Sequence, residues 1–219
     1  TISLQMIDSS DLTLDEFCFC SKSQKFSDTN SGKYRDVVDA FRTVYWFHGL
    51  RIRGKAKTTY QIEKTFEPDA FFCFDADGSK YRRNKWNGYK LGRHTPTAKL
   101  VSNVNEISDG TRNEFEHVLW DTLRLSKPAI KNADAWISRL DPGLQNLLWR
   151  KATKLTGART RIQKISHKHL KMIERRASLD ALACLTMLLR EAHESGHQQL
   201  SFEIGRSLCR VLLMMGVFL

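Results

Sequence analysis

Apolar positions recur at helical spacing along most of this chain, and that period predicts a mainly α fold. Residues 1–33 are the exception. They are rich in Ser, Asp, Thr and Lys without sustained periodicity, and read as a polar tail or loosely attached strands. Between Tyr34 and Leu50, Val37, Val38, Phe41, Val44, Tyr45 and Phe47 form one wide apolar helix face, with Gly49 near its end. Arg51–Lys57 is a basic connector. Thr58–Phe66 predicts a short helix with Tyr60, Ile62 and Phe66 inward, stopped before Pro68. Phe71–Phe74, followed by Asp75-Ala76-Asp77-Gly78, reads as a strand entering a turn or as a helix end. Lys80–Leu91 predicts a helix ended by Gly92, and Pro96–Ile107 another, opened by Thr95-Pro96 and closed before Asp109-Gly110. Phe115–Leu125 follows, with Phe115, Val118, Leu119 and Leu123 inward.

The second half is more regular. Asp141-Pro142 is an N-cap with proline at the first helical position. Leu144, Leu147, Leu148, Ala152 and Leu155 continue at helical spacing, Lys151 and Lys154 occupy the last turns, and Gly157 stands as the terminator. One unbroken helix is expected there. Arg159–Arg176 predicts the next. Ser178–Ala192 is apolar almost all round, as a helix central in a bundle must be. Ser201–Met215 is amphipathic. The expected organisation is a polar tail over 1–33, a helical module over 34–125, and a bundle of four or five helices over 126–219.

Composition narrows the class. A chain of 219 residues buries roughly 70% of its unfolded surface, so a core is expected without disulfides. The five cysteines, at 18, 20, 73, 184 and 209, are odd in number and lack framework spacing. Cys18-Phe19-Cys20 does not have a zinc knuckle's gap, and Cys184 and Cys209 sit in apolar runs and read as buried thiols. A reducing, cytoplasmic setting is expected. The N-terminus is polar, with Asp8, Asp11 and Asp15, and does not read as a secretory leader. The run Val211–Leu219 is less than half of the roughly twenty residues a bilayer requires, so no membrane partner is expected.

Charge adds a partner. The net charge is +11, from 35 Lys+Arg against 24 Asp+Glu, a field that attracts polyanions. Gly78–Asn105 contains no acidic residue but holds Lys80, Arg82, Arg83, Lys85, Lys90, Arg93 and Lys99. Phosphate fits such a run, because each neutralised phosphate releases condensed counterions; a solvated basic face is the plainer alternative. Within the run, Trp86, Tyr89, Gly92, Pro96, Leu100, Val101 and Val104 form W-x-x-Y-x-x-G-x-x-x-P-x-x-x-L-V-x-x-V. Trp86 and Tyr89 lie one turn apart and can seat a helix, Gly92 can end it, and Pro96 can open the next.

This string, over residues 80–107, resembles the recognition helix, glycine turn and following helix of the lambda-repressor-like (Cro/repressor type) helix-turn-helix family. The resemblance implies a helix-turn-helix-like N-terminal module and a bacterial regulatory factor that binds duplex DNA. It would aim Lys80, Arg82, Arg83, Asn84, Lys85 and Asn87 at the major groove or flanking phosphates, and Lys90 and Arg93 at the backbone. Phe71–Gly78 departs from the family: it is aromatic, carries Asp75 and Asp77, and aligns only with an insertion.

A second cationic set, Arg161, Lys164, Lys168, Lys171 and Arg175, is spaced 3, 4, 3 and 4 and would share roughly an 80° arc of one helix. Ile162, Ile165, His169 and Ile173 would face elsewhere. Such a stripe tracks phosphates, of DNA or RNA, without reading sequence; a solvated outer face is again the alternative.

Catalytic candidates are sparser. His193-Glu194-Ser195-Gly196-His197 fits H-E-x-x-H, but the third-ligand position of one zincin class holds Glu203 and the expected preceding glycine is Leu200. Asp69, Asp75 and Asp77 hint at a nuclease cluster without the carboxylate-x-Lys pairing, and His167-x-His169 would point to different helix faces. Trp46, Trp120, Trp136 and Trp149 read as core anchors. Nucleic-acid binding leads, without catalytic residues, metal or cofactor. A helical assembly subunit, with a homo-oligomer or protein partner on the C-terminal helices, is the alternative; a metal-dependent nuclease or zinc hydrolase is third.

Overall fold

The structure, a computed structural model, describes residues 36–68, 78, 84–150, 159–162 and 164–216. They are mainly helical: α1 (Val37–Arg53), α2 (Thr59–Phe66), α3 (Lys85–Lys90), α4 (Ala98–Ile107), α5 (Thr111–Phe115), α6 (Val118–Leu123), α7 (Ala129–Ile137), α8 (Pro142–Leu148), β1 (Trp149–Arg150), β2 (Thr160–Arg161), α9 (His167–Glu174), α10 (Leu179–Glu194) and α11 (Gln198–Gly216).

Two hydrophobic clusters organise them. The first joins α1 to α5 and is built on aromatic rings. Trp46 of α1 stacks on Trp86 of α3 at 5.9 Å and meets Phe115 of α5 edge-on at 5.7 Å, while Phe66 of α2 also stacks on Trp86 at 5.9 Å. Trp46 and Trp86 are fully buried. The second cluster surrounds α10, whose Ala181, Cys184, Leu185 and Leu188 are buried among α6, α7, α9 and α11. This is the central helix that its near-continuous apolar sequence predicts. Trp120 and Trp136 are buried in the same cluster and Trp149 packs against it, so the tryptophans are core anchors as expected.

Local chemistry sets the helix ends. The Thr58 hydroxyl and the Gln61 side chain form a reciprocal capping box at α2. The Asp141 carboxylate accepts from Gly143 N–H at 2.7 Å, with Pro142 opening α8. Ser178 caps α10, which ends where Gly196 turns left-handed at φ +74°. The last turn of α10 then holds the α6–α7 junction. The Arg190 guanidinium donates to the carbonyls of Thr122 (2.6 Å) and Arg124 (3.0 Å), while the Glu194 carboxylate accepts from Ala129 N–H (2.8 Å) and Ile130 N–H (3.1 Å) at the start of α7. A cation thus meets one helix C-terminus and an anion the next N-terminus, the signs both dipoles favour.

Several sequence expectations change. The predicted helix Lys80–Leu91 begins only at Lys85, because Asn84 is left-handed at φ +47°. Phe115–Leu125 is broken at Glu116-His117, where the His117 ring caps α6. The helix opened by Asp141 stops at Leu148: Trp149 and Arg150 turn extended and pair antiparallel with Arg161 and Thr160. Ala152, Leu155 and the terminator Gly157 lie outside the described residues. Arg159–Arg176 is not one helix either. It is β2, a turn, and then α9, which starts afresh because Ser166 and His169 form their own capping box. Tyr60, Leu123 and Cys209 are exposed rather than inward or buried. No helix among the described residues is long and apolar enough to cross a membrane.

Candidate nucleic-acid interface

All seven positions of the Trp86–Val104 string are buried. Trp86 and Tyr89 anchor the six-residue α3 in the aromatic cluster. Gly92 ends it at φ +64°, and a Cβ there would come 3.2 Å from the Ala40 carbonyl and 3.1 Å from Val44 of α1, so a side chain is excluded both by the backbone and by the close approach. Thr97 caps α4 by accepting from Leu100 N–H at 3.3 Å. Gly88 makes room for the His94 ring, which folds back over α3.

With the apolar positions inward, the cations between them point out. Lys90, Arg93 and Lys99 are exposed, as is His94, and no described residue supplies an acidic partner to these three cations. Arg51, in the last turn of α1, is likewise exposed and without an acidic partner among the described residues. The packing of α3 on α1 brings together the helices that carry Arg51 and Lys90. His48 is held below the usual histidine range by burial first, then by the Arg51 and Lys90 charges. Sequence reading took Arg51 only as part of a connector; it lies 39 positions from Lys90, and only the packing of α3 on α1 unites them.

Lys85 is differently placed. Its Nζ lies 3.0 Å from Glu67 Oε1, while Glu67 Oε2 accepts from the buried Trp86 Nε1 at 2.7 Å. Burial alone would lower the Lys85 ammonium, yet its hydrogen bond and attraction to Glu67 hold it above an ordinary lysine. Lys85 is therefore paired with Glu67, although about a third of its side chain stays exposed. Asn84 is exposed at the helix start and Asn87 half-buried. Lys80, Arg82 and Arg83 lie outside the described residues.

The second cationic set divides. Arg161 sits on β2 and grips Glu191 of α10 with both terminal nitrogens, Nη1 to Oε1 at 2.7 Å, with Asp134 3.6 Å away. Its charge is spent inside the fold, which corrects the expectation that it joins a phosphate-facing stripe. Lys168, Lys171 and Arg175 do line the outer side of α9, opposite buried Leu170 and Ile173; they and Lys164, in the turn before, are exposed without an acidic partner among the described residues.

No family model, curated protein or solved structure matches this chain.

The catalytic candidates lose their geometry. α10 ends at Glu194, so His193 and His197 are not one turn apart on a helix, and the Glu194 carboxylate is engaged as the cap of α7. No group of three metal-ligating side chains occurs among the described residues; Asp69, Asp75 and Asp77 lie outside them. The His169 Nδ1 accepts from Ser166 N–H at 3.1 Å. Sequence reading missed a His–Asp pair in an open groove of about 390 Å³ between α5, α6 and the α7–α8 turn. There His117 Nδ1 accepts from Leu119 N–H at 3.1 Å and Nε2 lies 3.6 Å from Asp180 Oδ1. Burial lowers the His117 pKa against the opposing pull of Asp180. With one nitrogen capping α6 and the other aimed at Asp180, the ring has no free lone pair for base chemistry. The Cys184 thiol, buried in the core, is pushed up to about 12 and is no nucleophile.

Proposed function

We propose that this chain binds nucleic acid, with duplex DNA as its principal ligand, through the surface carrying Arg51, Lys90, Arg93 and Lys99. One observation carries the reading: every apolar position of the Trp86–Val104 string is buried, so the cations interleaved with it are held outward on a rigid turn, without acidic partners among the described residues. Like charges held together in this way are favourable when phosphates share the surface. The likeness of the string to the Cro/repressor type motif supports duplex DNA and a regulatory role in a bacterial cytoplasm. Lys168 and Lys171 on α9, with Arg175 just past its end, supply a further phosphate-contacting face.

The described cations position the chain on a backbone rather than read bases. Base reading, where the chain has it, falls to Lys80, Arg82, Arg83, Asn84 and Asn87. Fluorescence anisotropy with a labelled random-sequence duplex tests the assignment. The four contacts of this surface should contribute about −3 to −4 to the slope of log K against log salt. Lys90→Glu with Arg93→Glu should weaken binding at least tenfold while α-helical circular dichroism is unchanged. Equal affinity of that variant and the parent chain would overturn the assignment.

A further inference from the structure

α11 is apolar on two opposite sides. Ile204, Ser207 and Val211 are buried on one side, while Phe202 is 64% and Leu213 73% exposed on the other. At 100° per residue, Phe202, Arg206, Cys209 and Leu213 share an arc of about 60° opposite Val211. Exposed Leu212 and the open Gly205 flank that arc on one edge, and a Cβ at Gly205 would meet nothing within 4 Å. A helix apolar on both sides has the pattern of one with neighbours on both sides.

We propose that the outer face of α11 is covered by a second copy of this chain, the two helices running antiparallel about a two-fold axis. The inference stands independently of nucleic-acid binding. A two-fold contact must be self-complementary, and the stripe has that property: its spacing of 4, 3 and 4 reads the same in both directions. An axis midway between residues 207 and 208 sets Phe202 opposite Leu213 of the partner subunit and Arg206 opposite Cys209 of the partner subunit. Along one edge, Leu212 enters the open space at the partner's Gly205. Along the other, Glu203 comes within about 3 Å axially of Arg210 of the partner subunit, from the rise of 1.5 Å per residue. Arg210 already meets Glu174 at 3.2 Å, but a guanidinium has donors for a second carboxylate. A parallel pair would instead oppose Arg206 to itself and put the two Glu203–Arg210 edges on opposite sides. Charge therefore selects the antiparallel arrangement. One helix face is smaller than a standard interface of roughly 800 Å² per partner, so a micromolar dimer is expected.

Light scattering on the full chain, in reductant and without nucleic acid, from low to a few hundred micromolar, tests this. The mass should rise from 25.3 kDa toward twice that value. Leu213→Asp and Phe202→Asp, both at exposed positions, should each keep the monomer mass with unchanged circular dichroism. Glu203→Arg should weaken the dimer at least fivefold, and Glu203→Gln less. A mass of 25.3 kDa at every concentration overturns the proposal and leaves the face for a different protein; so does a dimer untouched by Leu213→Asp. A dimer untouched by Glu203→Arg overturns the antiparallel arrangement.

Discussion

The two cationic regions of this chain look alike in sequence and differ in what lies beneath them. Around α3 and α4 the cations alternate with residues that pack a core, and the core fixes which way each points. Between Arg161 and Arg175 the expected single helix gives way to a strand, a turn and a short helix. Arg161 is drawn inward by Glu191, leaving Lys164, Lys168, Lys171 and Arg175 outside. A run of like charge thus predicts an outward cationic face only where the intervening apolar residues account for the backbone between the charges.

The strongest way to break the comparison is to remove the first region's anchor. Trp86→Ala should destabilise the chain by about 4 kcal/mol in urea titration, since it empties the centre of the aromatic cluster and leaves Glu67 short of a donor. A loss under 1 kcal/mol would contradict a core-seated α3. Next, Arg161→Ala should cost about 2 kcal/mol, because Glu191 is then left partly buried without its bidentate partner. Lys168→Ala, on the exposed side of α9, should change stability by no more than about 0.5 kcal/mol. Equal effects of these two would erase the distinction between an inward and an outward cation.

A smaller effect concerns pH. His48 and His117 both sit below the usual 6.5 in the folded chain. The unfolded chain therefore takes up protons first, and stability must fall as pH drops. The contribution is complete above pH 6.5 and is lost as pH falls through the lowered folded values. His117→Asn should flatten the dependence of urea midpoint on pH below 6.5. A midpoint that rises on acidification in that window would contradict the buried, neutral assignment.

Legibility followed the range of the interactions. α1, α4 and α10 were readable because their apolar stripes are local, but their ends were read less well: α1 runs through Gly49 to Arg53, and α4 opens at Ala98 on a Thr97 cap rather than at Thr95-Pro96. The seven-position string was readable for the same reason. The break after Leu148 was not, because the backbone pairing of Trp149 with Arg161 closes across residues that carry no turn signature strong enough to outweigh Ala152 and Leu155. The left-handed Asn84, at the start of α3, also interrupts a run whose composition favours helix. At the candidate site, the cations were legible by type, but their allocation was not. Lys85 is claimed by Glu67, eighteen positions earlier, Arg161 by Glu191, thirty later, and Arg51 joins Lys90 only through the packing of α3 on α1. Glu194 looked like part of a zinc motif because its role as a cap depends on Ala129 and Ile130, more than sixty residues away.

The central claim, that the outward cations of the first region meet phosphate, is tested most directly by the salt dependence of duplex binding in two paired variants. Replacing Lys90 and Arg93 together by Gln should reduce the slope of log K against log salt by about 2, whereas Arg161→Gln should leave the slope unchanged once folding is accounted for. An unchanged slope for the Lys90 and Arg93 pair, or an equal loss for Arg161→Gln, would contradict it.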